Sequence, residues 1–574
     1  MADAGASGPI EGYTPLPEER IREYREKGYW TDRTLHEVLD RAADSFPDKP
    51  FVVGPRRRTT YRAAVDRTER IAAYLLGELG LEPRDRVVIQ LTNRVEFLEL
   101  FFGCSRAGVI PVVLLPRHRR AEARHVVDLT DARAFVTLGS GTGGGFDHVG
   151  MGDSLAAEFA TLEHLIAVGD RSEARQTGLP DGWIDYAELT GTDWTETHGD
   201  AVADATVDPN DPGLMLLSGG TTGMPKVIPR THNEYVFQWD RWEDALGIRP
   251  EWTGMPWVPI GHNASLNPIV GAAVARGASI AIEPTLKTAT LVERALEMDV
   301  DYFFAVPAQL VDLLEGETVE GLDLSDVAVV VTGGQKVRPS VVRDLHERWG
   351  VDVANNYGMG EGPLFCTRPD DDVDTQAETI GRPIAPDAEE YRIVDESRSA
   401  EVATGNPGEL AARGPGIFAG YFRNPEENEA AFDEDGWFYT EDVVEQGADG
   451  NYRVHGRLKD TIIRGGENIY APGLEDELIE HPKIQNVAVI GMPDDRLGER
   501  PMAYVELEAS ADSLALDEIV AFLDERGVAV FKRPERLEVV ESLPKTEVGK
   551  ISKADLRDRI TETLKVEGKL DEDR

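Results

Sequence analysis

At 574 residues the chain exceeds the roughly 250–300 at which one hydrophobic core stops growing, so at least two domains are expected, one of them compound. A formal net charge of −45 with no basic stripe argues against nucleic-acid binding, and no run reaches the ~18–20 apolar residues of a membrane span. Cys104 and Cys366 lie far apart with no Cys-x-x-Cys, so buried, reduced thiols and no structural metal site are expected. Lysine is scarce beside arginine, absent between Lys49 and Lys226, while Asp and Glu crowd the outer faces. That predicts a salt-adapted surface of the extreme-halophile kind, whose self-repulsion molar salt screens. Met1–Pro9 lacks the basic and apolar regions of a signal peptide and reads as a short disordered leader, which predicts a cytoplasmic protein.

In chain order, helical spacing is predicted from Leu35 to Phe46 and again from Thr60, with Ile71, Leu75 and Leu76 on one face. Arg86–Leu91 reads as a buried strand, Glu96–Cys104 as an apolar helix, and Ile110–Leu114 and Arg133–Leu138 as further strands. This alternation predicts βαβ units and a parallel sheet. Gly139–Gly144 formally matches Gly-x-Gly-x-x-Gly, but the glycines continue to Gly145 and no helix opens on them, so a flexible loop is expected rather than a dinucleotide site. Residues 150–212 look acidic and weakly patterned, apart from a helix near Ser154–Leu162.

The apolar run Leu214–Leu217 then leads into Ser218-Gly219-Gly220-Thr221-Thr222-Gly223-Met224-Pro225-Lys226. Glycines let backbone N–H groups converge on one spot, and the hydroxyls and the lysine add donors, so this loop suits a polyphosphate. It lacks the Gly-Lys-Ser/Thr of a Walker A loop, and a polar surface turn is the alternative reading. After it come Val227–Asn233, an aromatic helix with Tyr235, Phe237, Trp239 and Trp242, and the loop Val258–Asn263. Strands are predicted at Ser279–Ile282, Tyr302–Ala305 and Val327–Val331, the last running into Thr332-Gly333-Gly334. Asn355–Gly362 is a further glycine turn and carries Glu361. Strand ends that run into such turns are where α/β sheets bind ligands.

From about Asp387 the pattern changes to short strands, at Glu389–Val394, Gly408–Arg413, Gly436–Val444 and Tyr452–His455. The remainder reads as a small α+β domain, with a helix at Leu474–Glu480, strands at Val487–Ile490 and Met502–Glu506, and a loop at Lys545–Lys553. The expected fold is α/β: a large N-terminal domain of layered α/β sheets (1–457) with a small β subdomain (about 387–457). A small mobile α+β C-terminal domain (458–574) follows.

These motifs together resemble the adenylate-forming superfamily of acyl-CoA synthetases, peptide-synthetase adenylation domains and firefly luciferase. The likeness rests on Ser218–Lys226, Tyr357–Glu361, Tyr439–Asp442, Gly456-Arg457 with Lys459, and Gly549-Lys550. Gly12–Pro15, Gly28–Trp30, Ile228–Asn233, His262-Asn263 and Arg464–Glu467 make it most similar to stand-alone aryl-acid ligases that activate 2,3-dihydroxybenzoate. The resemblance implies attack of an aromatic carboxylate on the α-phosphate of ATP with Mg²⁺, then transfer to a phosphopantetheine thiol of an aryl carrier protein. The alternative is an aryl- or acyl-CoA ligase using free CoA. Neither nucleic acid nor membrane is an expected partner. A noncatalytic nucleotide sensor is disfavoured because Lys550, Glu361 and Asp442 are all present, and a dehydrogenase would rest only on Gly139–Gly144.

By the same resemblance Ser218, Thr221, Thr222 and the backbone of Gly219, Gly220 and Gly223 hold the β- and γ-phosphates, and Lys226 sets their loop. Glu361 binds Mg²⁺, and Gly333, Gly334 and Tyr357 frame the adenine. Asp442 takes the ribose hydroxyls with Arg457 beside it, and Lys550 bridges the carboxylate and the α-phosphate. Lys459 is the hinge, with Gly465, Gly466 and Glu467 serving thiol transfer. His262, Asn263, Asn267 and Leu364 line the acid pocket, with Thr222 and His262 also counted among the catalytic groups. The chain departs from the pattern with Glu441 where relatives carry Gly, Gly360 where they carry Ala or Thr, and Asn267 where the aryl-acid ligases carry serine. Leu364 likewise replaces a smaller residue.

Overall fold

The computed structural model describes residues 9–55, 57–139, 145–169, 178–218, 224–316, 322–464, 467–494, 496–545, 551–567 and 569. The chain divides into two compact units. The first takes in residues up to Ser218, then Met224–Glu390 and Arg413–Gly436; the second takes in Tyr391–Ala412 and the chain from Trp437 onward.

The first unit holds two large sheets. In the seven-stranded sheet the strands run, edge to edge, Trp183–Asp185, His164–Val168, Ala134–Leu138, Arg86–Gln90, Ile110–Val113, Pro212–Leu217 and Val227–Thr231. All its pairings are parallel except the last, an antiparallel hairpin. The strand at His164–Val168 and the one at Trp183–Asp185 lie in the stretch that looked unpatterned. His164–Val168 is buried on both faces, so it shows no alternation, and Trp183–Asp185 has three residues, too few to show a period. The nine-stranded sheet has a parallel centre, from Asp352–Gly358 through Val329–Gly333, Tyr302–Ala305, Thr253–Pro256 and Ser279–Ala281 to Pro50–Val53, with antiparallel strands at both edges. The helix Val95–Ala107 is buried almost all round, and Phe102 meets Phe51 of the nine-stranded sheet and Trp239 of the helix His232–Leu246. Among the described residues no helix is long and apolar enough to cross a membrane.

The second unit holds a four-stranded antiparallel sheet (Glu390–Val394, Gly408–Arg413, Phe438–Gln446, Tyr452–Arg457) and a five-stranded sheet built on the long hairpin Ile484–Asp494 and Gly498–Leu507. The four-stranded sheet, expected with the N-terminal domain, thus falls mostly in the same compact unit as the C-terminal segment. The physical reason lies in its last strand. His455 sits with its ring 5.9 Å from that of Tyr470, and a side chain at Gly456 would collide with Pro472.

Candidate functional site

The antiparallel hairpin Pro212–Leu217 and Val227–Thr231 presents Ser218 and Lys226 side by side. The Ser218 N–H donates to the Lys226 carbonyl at 2.9 Å, and the Lys226 N–H donates to Ser218 Oγ at 2.9 Å. The Lys226 ammonium pairs with Glu427 and lies 4.5 Å from the centre of the Tyr421 ring. The Tyr421 hydroxyl donates in turn to Glu361 Oε1 at 2.9 Å, and the Phe418 N–H donates to the Glu361 carbonyl at 2.8 Å. Glu361 is buried, and its Oε2 carries no bond among the described residues. A carboxylate held by one oxygen with the other free is the donor set a hard divalent cation takes. Gly219, Gly220, Thr221, Thr222 and Gly223 lie outside the described residues, as do Gly465, Gly466 and Lys550.

Arg230 fixes the backbone around Glu361. It is fully buried, pairs with Glu234 at 2.9 Å, and donates to the carbonyls of Gly360 and Gly416, both at 2.6 Å. Glu234 also closes a capping box with Thr231 at the start of the aromatic helix. Burial raises the Glu234 carboxyl above the ordinary glutamate range, and Arg230 opposes that shift. Sequence reasoning quoted Arg230 only as part of a motif. The pair spans the strand-to-helix junction, Arg230 ending the strand and Glu234 in the first turn of the helix, and the buried charges survive there only as a pair.

The loop that carries His262 and Asn263 follows the strand Thr253–Pro256 and is clamped by buried Asn93. Its Nδ2 donates to the carbonyls of Pro256 and Val258, and its Oδ1 accepts from the Ile260 N–H at 2.7 Å. His262 is exposed and accepts the Ala264 N–H through Nδ1 at 3.1 Å, capping the turn Asn263–Ser265. Asn263 Oδ1 accepts from the Tyr235 hydroxyl at 2.5 Å and from Asn267 Nδ2 at 2.9 Å, and Asn263 Nδ2 donates to the Met359 carbonyl at 3.1 Å. Leu364 is buried and reaches across to Gly358, its register partner. Asn263, Leu364 and Glu361 thus meet at the segment 358–362, and Asn267 is tied to it only through Asn263 and through Gln238, whose Nε2 donates to the Gly362 carbonyl at 2.8 Å. Asn93, Tyr235, Gln238 and Tyr421, none of them singled out from the sequence for the site, hold them there.

Gly333 ends its strand opposite Asn356, and a Cβ on it would lie 2.3 Å from the Asn356 carbonyl oxygen. Only glycine allows that approach, and Gly334 follows in the left-handed region at φ 77°. Half-buried Tyr357 is the next residue along the partner strand and packs edge-on against Phe365 at 5.8 Å. The pieces expected around an adenine therefore share one strand end.

In the second unit, Asp442 is buried on the strand Phe438–Gln446, and Arg457 Nε lies 2.7 Å from its Oδ1 across the ladder. Lys459 sits in a single 3₁₀ turn, Leu458–Asp460. Arg557 of the last helix donates to the Lys459 carbonyl at 3.3 Å and to Asp460 at 2.6 Å.

Comparison with known proteins bears on the whole chain. The AMP-binding enzyme family model matches residues 39–422, and the AMP-binding enzyme C-terminal domain matches residues 473–550. A salicyl-AMP ligase / salicyl-S-ArCP synthetase of Mycobacterium tuberculosis is 36% identical over 552 residues, which is 95% of this chain and 94% of that protein. A 2,3-dihydroxybenzoate-AMP ligase of Bacillus subtilis is 33% identical over 559 residues, 97% of this chain and 99% of the other. Among solved structures, apo MbtA of Mycobacterium smegmatis superposes with a TM-score of 0.70 at 33% identity, covering 96% of this chain and 99% of that one.

Proposed function

The chain belongs to the AMP-binding enzyme family, and we propose that it activates an aromatic carboxylic acid of the 2,3-dihydroxybenzoate or salicylate type as its acyl-adenylate, then passes the acyl group to the phosphopantetheine thiol of an aryl carrier protein. The observation that carries this reading is the near full-length likeness to two aryl-acid AMP ligases. It is supported by Glu361 and Asn263 meeting at one backbone segment, 358–362.

In the first step a carboxylate oxygen attacks the α-phosphorus of ATP and the bond to pyrophosphate breaks. In the second the thiol sulfur attacks the acyl carbon and AMP leaves with that oxygen. Charge builds on phosphate in the first step, so fixed donors and cations supply most of the rate. Ser218 with Gly219–Gly223 would cradle the departing phosphates, and Lys226 would brace the loop through Glu427 and Tyr421. Glu361 would hold Mg²⁺ by its open oxygen, the ion neutralising phosphate charge. Gly333, Gly334 and Tyr357 would take the adenine, and Asp442 and Arg457 the ribose. Lys550 would reach the reacting oxygens, and Lys459 would pivot the C-terminal part between the two steps.

Incubating the pure protein with MgATP, a panel of aromatic acids, and either CoA or a phosphopantetheinylated aryl carrier protein tests the reading. Mass spectrometry should find the aroyl thioester on the carrier. A product found only on CoA would replace the acceptor, and no thioester or adenylate from any aromatic acid would contradict the reading.

A further inference from the structure

Asp442, proposed above to take the ribose hydroxyls, stands on a β-bulge. Glu409 of the strand Gly408–Arg413 lies opposite Val443, yet Ala411 lies opposite Tyr439, so Thr440, Glu441 and Asp442 together face Leu410 alone. A bulge of this kind re-aims a side chain, and bulges gather beside binding sites for that reason. Its middle residue, Glu441, sits in the left-handed region at φ 58°, where any side chain is strained. Such strain persists only where the surroundings impose it, and it collects at functional sites.

Two side chains impose it here. Thr440 Oγ1 donates to the Leu410 carbonyl at 3.0 Å and accepts the Asp442 N–H at 3.1 Å. The Glu441 N–H donates to Glu409 Oε1 at 3.1 Å. A carboxylate that accepts a backbone N–H makes roughly twice as strong a bond as a neutral acceptor. The Glu409 side chain is only 1% exposed, and a buried carboxylate needs a partner. Arg398 supplies one, with Nε 2.7 Å from Oε2 and Nη2 2.9 Å from Oε1, its guanidinium lying 4.2 Å from the centre of the Tyr439 ring. Arg398 itself is 34% exposed, so water could serve its charge without Glu409. What the buried carboxylate secures is the bulge. We propose that Glu409 is a positioning residue for nucleotide recognition: braced by Arg398, it holds the backbone at Glu441 and so sets the Asp442 carboxylate where it meets the ribose hydroxyls. This inference rests on the reading of Asp442 as the ribose ligand.

Calorimetric binding of MgATP and of the magnesium complexes of 2′-deoxy-ATP and 3′-deoxy-ATP to the full-length protein tests it without any acid. The wild type should prefer ATP over each deoxy analogue by at least about tenfold, as expected for a hydrogen bond to a charged group. Glu409→Leu, which removes the acceptor, should bring both preferences to within about threefold of unity. A role in stability alone would weaken or spare the three nucleotides together and leave the ratios where they were. Arg398→Met alters a partly exposed side chain, so it carries the same test where Glu409→Leu does not fold, and it should lower both ratios by at least about threefold. Wild-type ratios persisting in either folded variant would overturn the inference. A wild type that binds all three nucleotides alike, or none of them, would instead overturn the reading on which it rests.

Discussion

Glu441 stands in the left-handed region at φ 58°, where a Cβ crowds the following carbonyl. The family pattern has glycine there, and this backbone angle explains why. Glu441 is kept in place by its N–H, which donates to Glu409 Oε1 at 3.1 Å, and Glu409 is gripped by the Arg398 fork at 2.7 and 2.9 Å. Glu441→Gly should raise stability by about 1 kcal/mol or less, read as a higher urea midpoint; a lower midpoint would show that the side chain makes a needed contact. Another departure, Gly360, is accommodated differently, because a Cβ there would come within 2.8 Å of Ile228 Cδ1. Arg230 and Glu234 form a pair of the opposite kind, fully buried and satisfied. Arg230→Met alone should cost about 3–5 kcal/mol by stranding Glu234, and the double change with Glu234→Leu should cost clearly less. Equal losses in the single and double variants would mean that the bonds to Gly360 and Gly416, not the uncompensated charge, set the cost. Glu361 and Asp442 stood out in the sequence as acids in glycine-rich or strand contexts, and the fold buries both. Asn93, Gln238 and Tyr421 did not stand out, because an amide or phenol that holds someone else's backbone leaves no pattern in its own neighbourhood.

Elements were legible where burial repeats with a period. The helix Leu35–Ser45 and the strands Tyr302–Ala305 and Pro212–Leu217 stand within a residue or two of their predicted positions, whereas the strand Val227–Thr231 that completes the hairpin was not predicted. The strands at His164 and Trp183 did not announce themselves, one for lack of alternation and one for lack of length. The turns proposed to bind ligand follow the C-terminal ends of their strands, with Gly333 ending Val329–Gly333 and Glu361 after Asp352–Gly358, where backbone amides and carbonyls would frame the proposed site. The division of labour between loops gives a prediction at this scale. Lys550→Ala should lower adenylation about 10²–10³-fold while sparing thiol transfer from preformed adenylate. Equal losses in both half-reactions would remove Lys550 from the first step.

Charge governs the molecule as a whole. At a net −45 the folded surface repels itself in dilute buffer, and at molar salt a Debye length of about 3 Å removes most of that repulsion. Thermal unfolding should therefore move to higher temperature as KCl rises from low to molar concentration, and a fall would contradict the salt-adapted reading. Buried histidines set the acid limit. Burial lowers His232 from the ordinary histidine value to about 3, and His118 and His148 to about 4. The unfolded chain takes up these protons as pH falls through about 6.5 while the folded chain does not, so stability is lost on acidification toward 4. Buried Glu234 and half-buried Asp240 and Asp211, raised by desolvation, act the other way, losing stability as pH climbs out of the ordinary carboxylate range. His232→Gln, which keeps an acceptor for the Leu35 N–H, should flatten the acid side of the stability profile; an unchanged slope would show that His232 titrates in the folded state.

In the proposed reaction a carboxylate oxygen attacks the α-phosphorus of ATP. Supplying the protein with MgATP and an aromatic acid whose carboxylate carries heavy oxygen tests this most directly. One heavy oxygen is expected in the AMP formed and none in the pyrophosphate. Label appearing in inorganic phosphate alongside ADP, or AMP released without label, would contradict it.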